Sequence, residues 1–83
     1  MPKVSVTVIT QNEAANIEAA LLSVSWADEI VLVDSGSTDN TVALARSFGA
    51  TVVVRGWEGF SAQKNYAASL ARNDWVLSID ADE

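Results

Sequence analysis

The chain has 83 residues, a formal net charge of −6, and neither cysteine nor histidine. Its length fits one small domain, and its 49% hydrophobic residues are enough for a core, which excludes a disordered segment. The acidic surplus argues against a nucleic-acid partner, which needs Lys and Arg, and any chemistry must use carboxylates, amides, hydroxyls, lysine or backbone groups.

Four strand-like apolar runs alternate with three helix-like patterns. Apolar residues at three- and four-residue spacing over 14–24 predict the first helix, where Thr10 and Glu13 fit a capping box and Asn12 is a rival cap. Gly49 is the predicted C′ residue after the second helix. The predicted strands are 4–9, 30–33, 51–54 and 75–79, and the second and third helices are 41–48 and 60–71.

Helix-length crossovers between strands predict a parallel sheet of right-handed βαβ units. The order β-α-β-α-β-α-β indicates a three-layer α/β domain with the spatial strand order 3-2-1-4. The direction of the chain across the sheet reverses between strands 1 and 4, and ligands of open α/β sheets bind at such a reversal, outside the carboxyl ends of the strands. The polar segments 10–13, 34–38 and 80–82 should therefore meet there.

Asp80 and Asp82 stand one residue apart at the end of the fourth apolar run. In an extended backbone residues i and i+2 point to the same side, so both carboxylates would face one point. Such a pair can hold a hard divalent cation that takes substrate phosphates as further ligands. We expect Asp82 to be the direct ligand and Asp80 to act through water or a sugar hydroxyl. The alternative is a pair of solvated or helix-capping acids.

The other polar segments offer contacts to a nucleotide. Gly36 permits a tight turn with positive φ, and residues 37–39 are expected to cap the following helix. Asp34 is a candidate acceptor for a base or ribose. In the first segment, Thr10 is the expected cap, while Asn12 and Glu13 are candidate contacts to a base or sugar.

Lys64 lies in the first turns of the predicted third helix and is one of five basic residues. A point charge there could neutralise a diphosphate. A solvated surface lysine is the alternative, and spacing alone does not decide between them.

Taken together, these motifs resemble the N-terminal half of the family 2 glycosyltransferases, which have the GT-A fold. The resemblance rests on the run Val33-Asp34-Ser35-Gly36-Ser37-Thr38-Asp39 after a strand, on Lys64-Asn65 and on Asp80-Ala81-Asp82, with Thr10-Gln11-Asn12-Glu13 after the first strand. The segments 26–30, 63–65 and 77–83 further resemble bacterial lipopolysaccharide-core glucosyltransferases.

The resemblance implies a partial, Rossmann-like GT-A fold that binds a nucleotide-sugar, usually a UDP-sugar, through Mg²⁺ or Mn²⁺. It implies transfer of the sugar, with inversion, to a cell-envelope glycan or lipid acceptor. The nucleoside would be held at Thr10, Asn12, Glu13 and Asp34. Lys64 would lie near the diphosphate, and the last acid of the D-x-D motif, Asp82, would bind the metal with help from Asp80.

Two departures from the family pattern matter. Many relatives carry a second acid that contacts the base, and this chain has Ser35 at that position. The catalytic base of the family is an Asp or Glu in the C-terminal half, beyond Glu83. We therefore expect residues 1–83 to be the donor-binding half of a longer enzyme, with no catalytic residue of their own and little or no activity alone.

The location and assembly of the protein follow as expectations. The N-terminus has no signal-like h-region and no apolar stretch approaches ~20 residues, so we expect a cytoplasmic protein. The full-length enzyme could be peripheral at the cytoplasmic face of the inner membrane. The apolar flank of the fourth strand would be uncovered, which predicts weak homodimerisation through an exposed edge.

Other classes of protein fit less well. A nucleotidyltransferase would need a glycine-rich, basic loop after strand 1, and residues 10–13 lack one. A haloacid-dehalogenase-type phosphatase carries its D-x-D motif on the first strand, whereas here the motif comes last. An inert nucleotide-binding, folding or self-associating module stays open.

Overall fold

The elements alternate as the sequence predicts. The computed structural model describes residues 3–80, apart from the side chains of Phe60 and Asp80. Predicted strands, and the second and third helices, match the observed bounds to within one residue at each end. The elements are β1 (Val4–Thr10), α1 (Ala14–Ser23), β2 (Glu29–Asp34), α2 (Thr41–Ser47), β3 (Thr51–Val54), α3 (Phe60–Leu70) and β4 (Trp75–Asp80).

The four strands form one parallel sheet in the order β3-β2-β1-β4, which confirms the predicted topology. The two central strands are β1 and β2, and β4 is an edge strand. Thr10 at the end of β1 is in register with Asp34 at the end of β2. The neighbouring Ile9 is in register with Asp80 at the end of β4. Three strands therefore end at the same edge of the sheet.

The apolar core lies between the sheet and the helices α1 and α2. Alternate residues of β1 and β2 point to this face, and they pack against apolar residues of the two helices. The fully buried members include Val6, Val8, Leu32, Ile17, Leu21 and Ala45. Both crossovers run in the same direction across the sheet, so a right-handed connection puts both helices on this face.

Helix α3 covers the opposite face, because the chain reverses direction before β4. It contacts β1 and β2. This side of the fold is more polar, since Ser5 and Thr7 of β1 and Gln63 of α3 are buried beside Ala67. The sheet therefore has an apolar side under α1 and α2 and a partly polar side under α3.

Two glycines confirm their predicted backbone roles. Gly49 follows the C-cap residue of α2 with a φ of 82°, which is the left-handed conformation of a C′ glycine. Gly36 has a φ of 97° in the turn after β2. Both values disfavour residues with a Cβ atom, so glycine is required by conformation at both places.

The edge strand β4 is poorly covered on both faces. The exposed fractions are 63% for Trp75, 41% for Val76 and 44% for Leu77. Ile79, nearer the carboxyl end, packs against the apolar core. Over residues 3–80, none of the helices combines the length and apolar character needed to cross a membrane.

Candidate functional site

The loops that follow β1 and β2 are joined by side-chain hydrogen bonds. We call residues 11–13 and 35–40 the exit loops, because each follows the carboxyl end of a central strand. The backbone N–H of Ser35 donates to the carbonyl of Thr10 at 2.9 Å, which extends the pairing of β1 and β2 beyond the sheet. The predicted convergence of two polar segments is therefore present in the fold.

Asp34 is fully buried, and its carboxylate accepts four hydrogen bonds. Oδ1 accepts from the Thr10 hydroxyl at 2.8 Å and from the Ser37 hydroxyl. Oδ2 accepts from the backbone N–H of Gly36 at 2.9 Å and of Ser37 at 2.6 Å. An ionised carboxylate has about four acceptor positions, so these bonds use all of them. In this geometry Asp34 organises the exit loops, and its contact with a nucleotide stays a prediction.

The N-terminus of α1 is capped by the other exit loop. The capping box predicted for Thr10 and Glu13 is wrong: Glu13 is the N-cap residue, without a side-chain cap hydrogen bond. The reason is that Thr10 is still part of β1 and its hydroxyl is bonded to Asp34. The free N–H groups at this helix end instead donate across 25 to 28 residues of sequence, from Asn12 to Ser37, from Glu13 to Thr41 and from Ala14 to Asp39.

Asn12 ties the two exit loops together in the opposite direction. Its side-chain Oδ1 accepts from the backbone N–H of Thr38 at 2.8 Å. Its backbone is left-handed, with a φ of 54°, a conformation that asparagine tolerates better than most residues with a Cβ atom. The side-chain oxygen of Asn12 is therefore engaged with the protein, and the predicted contact of Asn12 with a base or sugar is untested.

Asp39 is the charged member of this cap. Its Oδ1 accepts from the hydroxyl and the backbone N–H of Thr41, and its Oδ2 accepts from the backbone N–H of Ala14 at 3.2 Å. These bonds favour the ionised form, so the Thr41 hydroxyl first, and then the Thr41 N–H, lowers the pKa of Asp39 below its usual value. The prediction that residues 37–39 cap α2 is wrong in its N-cap, because Asn40 holds that position without a side-chain cap hydrogen bond. Of the three residues only Asp39 bonds the first residue of α2, whereas Ser37 and Asp39 both accept hydrogen bonds from the start of α1.

Glu13 and Lys64 occupy the periphery of this cluster. Glu13 is half-buried, and its Oε2 receives a long 3.4 Å hydrogen bond from Asn16. Lys64 is exposed on α3. The preceding residue, Gln63, reaches the Ser35 hydroxyl and the carbonyl of Arg55, so the start of α3 lies beside the ends of β2 and β3. Lys64 is thus near the carboxyl edge of the sheet.

The two predicted metal ligands are described only in part. The backbone of Asp80 ends β4 beside Ile9, but its side chain and all of Asp82 lie outside the described residues. Within the described range, no group of three or more His, Cys, Asp or Glu residues could hold a metal ion. The donor set fits a hard cation, since carboxylate oxygens suit Mg²⁺ and Mn²⁺. Asp80 and Asp82 would hold such an ion after β4.

Contacts of Arg55 hold the segment between β3 and α3 in place. Arg55 pairs with Glu58 at 2.7 Å, and its guanidinium lies 4.2 Å from the centre of the Tyr66 ring. Its backbone N–H donates to the carbonyl of Asp34 at 2.7 Å. These contacts fix the segment against α3 and β2. An ion pair three residues apart was a readable signal, but the Tyr66 contact depends on tertiary structure.

A second polar cluster lies at the opposite edge of the sheet. Glu29 Oε1 accepts from the Ser5 hydroxyl and from the backbone N–H of Arg72, both at 2.8 Å, and Asn73 donates to Ser5 at 3.0 Å. The N–H of Arg72 is the main cause of the lowered pKa of Glu29. A cavity of about 540 Å³ is lined by this cluster. It lies at the amino ends of the strands, away from the exit loops.

The fold and the exit loops define a class of protein: a parallel α/β domain whose polar loops meet where the strand order reverses, as in nucleotide-binding domains. The family model for glycosyl transferase family 2 matches residues 5–83. The chain belongs to this family, and its fold is the Rossmann-like N-terminal half of a GT-A domain.

Known relatives agree with this assignment. An uncharacterized glycosyltransferase from Rickettsia bellii is 55% identical over 82 residues, which are 98% of this chain and 28% of the relative. The lipopolysaccharide core biosynthesis glycosyltransferase LpsC from Rhizobium meliloti is 37% identical over 84 residues, covering 95% of this chain and 31% of LpsC. The chain thus spans less than a third of these two relatives.

A solved structure shows the same architecture. The crystal structure of glucosyl-3-phosphoglycerate synthase from Mycobacterium tuberculosis superposes with a TM-score of 0.85 at 30% identity, over 99% of this chain and 35% of the synthase. Another crystal structure of that synthase contains Mn²⁺, UDP-glucose and phosphoglyceric acid.

Proposed function

We propose that this chain is the donor-binding half of an inverting glycosyltransferase that uses a metal-bound UDP-sugar. The observation that carries the proposal is the convergence of the ends of β1, β2 and β4 at one edge of the sheet, with two of the following loops bonded to each other. The Mn²⁺ and UDP-glucose in the related synthase support the same class of donor.

In this proposal, each predicted residue has a separate task. The nucleoside side of the site is built by four residues: Thr10, Asn12, Glu13 and Asp34. Three of them, Thr10, Asn12 and Asp34, also form the hydrogen bonds that order the exit loops. The exposed ammonium group of Lys64 contributes positive charge toward the diphosphate.

Asp80 and Asp82 would hold Mg²⁺ or Mn²⁺ at the end of β4. The bound cation supplies charge stabilisation to the leaving diphosphate. The protein's contribution is to place Asp80 at the end of a strand that is paired in register with β1. The resemblance assigns the catalytic base to a C-terminal half, so we propose that residues 1–83 bind the donor but do not catalyse transfer.

The acceptor is proposed to be a glycan or lipid of the cell envelope. The support for it is the 37% identity to a lipopolysaccharide core biosynthesis glycosyltransferase. We further propose a cytoplasmic location, peripheral at the inner membrane for the full-length enzyme, with which the absence of cysteine is consistent.

The metal role can be tested by titrating UDP into the chain with and without Mn²⁺. Asp82→Ala should lower the metal-dependent affinity for UDP by about tenfold or more, because a direct ligand is lost. The matched control is Asp74→Ala, which removes an exposed acid near the amino end of β4 and should leave the affinity unchanged. Equal binding of UDP by wild type and Asp82→Ala would refute the metal site.

A second candidate function is an inert module that associates with its own copies. The uncovered apolar residues of the edge strand β4 favour it, because an unpaired strand edge is a template for another chain. We propose a weak homodimer of the 83-residue chain through this edge. Nucleotide binding and self-association are compatible, because the nucleotide would bind at the carboxyl end of β4 and a second chain would pair along its open edge.

A further inference from the structure

Gln63 is a fully buried polar residue that neither the family assignment nor the sequence motifs explain. It lies in α3 and faces the ends of β2 and β3. Its Nε2 is 3.3 Å from the carbonyl oxygen of Arg55 and 3.4 Å from the hydroxyl of Ser35. A buried amide needs partners for all its polar atoms, so its surroundings decide whether it serves the fold or the site.

The orientation of this amide follows from its neighbours. The Arg55 carbonyl can only accept a hydrogen bond, so the NH₂ group must face it. The second N–H then points to the oxygen of Ser35. Within the described part of the chain, this leaves Gln63 Oε1 buried and without a hydrogen-bond partner. Both hydrogen bonds are long, so they do not offset the burial of that oxygen well.

A purely structural role would be better served by an apolar side chain. An unsatisfied buried acceptor is destabilising, whereas an apolar group of similar size carries no such penalty. Ala67, the other buried residue among the described side chains of α3, is apolar. The amide at position 63 therefore lowers the stability of the fold relative to an apolar side chain of similar size.

The hydrogen bond to Ser35 links Gln63 to the nucleotide side of the site. A hydroxyl has one proton to donate and two lone pairs to accept. When Gln63 donates to Ser35 Oγ, the proton of that hydroxyl is directed to another acceptor. Ser35 is half-buried, it follows Asp34 directly, and its backbone N–H is fixed by Thr10. Its hydroxyl thus stands at the carboxyl edge of the sheet, and its proton has no acceptor among residues 3–80.

We infer that Gln63 is a positioning residue that holds the Ser35 hydroxyl as a hydrogen-bond donor toward an acceptor atom of the bound nucleotide. This inference rests on the proposed function, because it needs a nucleotide at the exit loops. The inference gives Ser35 a role at the position where many relatives carry an acid. A carboxylate there would accept a hydrogen bond from the nucleotide, whereas the oriented hydroxyl of Ser35 donates one.

The test is a double-mutant cycle with UDP and Mn²⁺ as the probe and thermal unfolding as the second measurement. Gln63→Met and Ser35→Ala should each weaken UDP binding about three- to tenfold, the effect of one neutral hydrogen bond. The double variant should bind no more weakly than Ser35→Ala, because Gln63 acts only through Ser35. The Tm of Gln63→Met should equal or exceed that of the wild type.

The control is Ser5→Ala, which removes a buried hydroxyl at the other end of the same face of the sheet. It should lower the Tm and leave UDP affinity unchanged. Two results would overturn this inference and leave the proposed function standing. One is that the losses of UDP affinity add in the double variant, and the other is that Gln63→Met binds UDP as tightly as the wild type. If Gln63→Met does not fold, Gln63 has a structural role and the inference is also overturned. Absence of UDP binding by the wild type would overturn the proposed function and this inference with it.

Discussion

At the scale of single residues, Asp34 was predicted to bind a ligand, and the structure shows that its carboxylate stabilises the protein's own loops. Its carboxylate is buried and receives four hydrogen bonds from the exit loops and from Thr10. The sequence pointed to Asp34 because it ends a buried strand before a turn with Gly36. It did not reveal the saturation of the carboxylate, since that depends on Thr10, 24 residues earlier.

Asp34→Asn tests this view of the carboxylate. The substitution replaces one acceptor oxygen of the carboxylate by an NH₂ group. This NH₂ group faces N–H or O–H groups that are themselves donors, so at least one hydrogen bond is lost and two donors repel each other. We expect the free energy of unfolding to fall by about 2–3 kcal/mol. Urea denaturation at neutral pH measures it, with Asp74→Asn as the exposed control. An Asp34→Asn variant as stable as the wild type would show that the four hydrogen bonds do not support the fold.

At the scale of helices and strands, the sequence was a good guide to the elements and a poor one to their caps. Apolar runs bounded by turn residues marked the strands, crossovers of helix length indicated a parallel sheet, and the order 3-2-1-4 proposed for such a sheet is the one observed. The capping of α1 was missed because its donors find Ser37, Asp39 and Thr41 across at least 25 residues of sequence. Local capping patterns carry no information about such partners. The part played by Gln63 was missed for the same reason.

The opposite edge of the sheet has an element-scale prediction of its own. Glu29 joins β2 to β1 through Ser5 and to the chain before β4 through the N–H of Arg72. The pKa of Glu29 is lowered, so its ionised form is favoured by folding. Its contribution is complete above the ordinary pKa of 4.5 and is lost as the pH falls through the lower folded value.

Glu29→Gln should therefore be less stable than the wild type at pH 7, by about 1 kcal/mol for the weakened hydrogen bonds. The difference should shrink as the pH falls from 4.5 through the lower pKa of the folded state, below which the wild-type carboxyl is also neutral. Urea denaturation at pH 7, 4 and 3 measures both variants. A difference that stays constant over this range would mean that the charge of Glu29 is not what stabilises the cluster.

At the scale of the whole molecule, the exposed side of β4 governs association. We expect the 83-residue chain to show a concentration-dependent increase in sedimentation coefficient. Leu77→Lys should abolish the increase, because a charge on an edge strand opposes pairing with a second chain. Leu22→Lys is the matched control, since Leu22 is 61% exposed but lies on α1, and it should leave association unchanged. A wild-type chain that stays monomeric at high concentration would contradict the proposed dimer.

The central position of β1 also has a consequence for how the protein is made. β1 precedes the other three strands of this sheet in the sequence, yet one of its two sides is paired with β4, and Asn73 reaches back over 68 residues to Ser5. A nascent chain can pair β1 with β2, and β2 with β3, before β4 is made, while the other side of β1 stays unpaired until then. Such distant pairing slows folding and prolongs the life of incomplete sheets. The window in which the growing polypeptide is open to misassembly therefore closes only when β4 arrives.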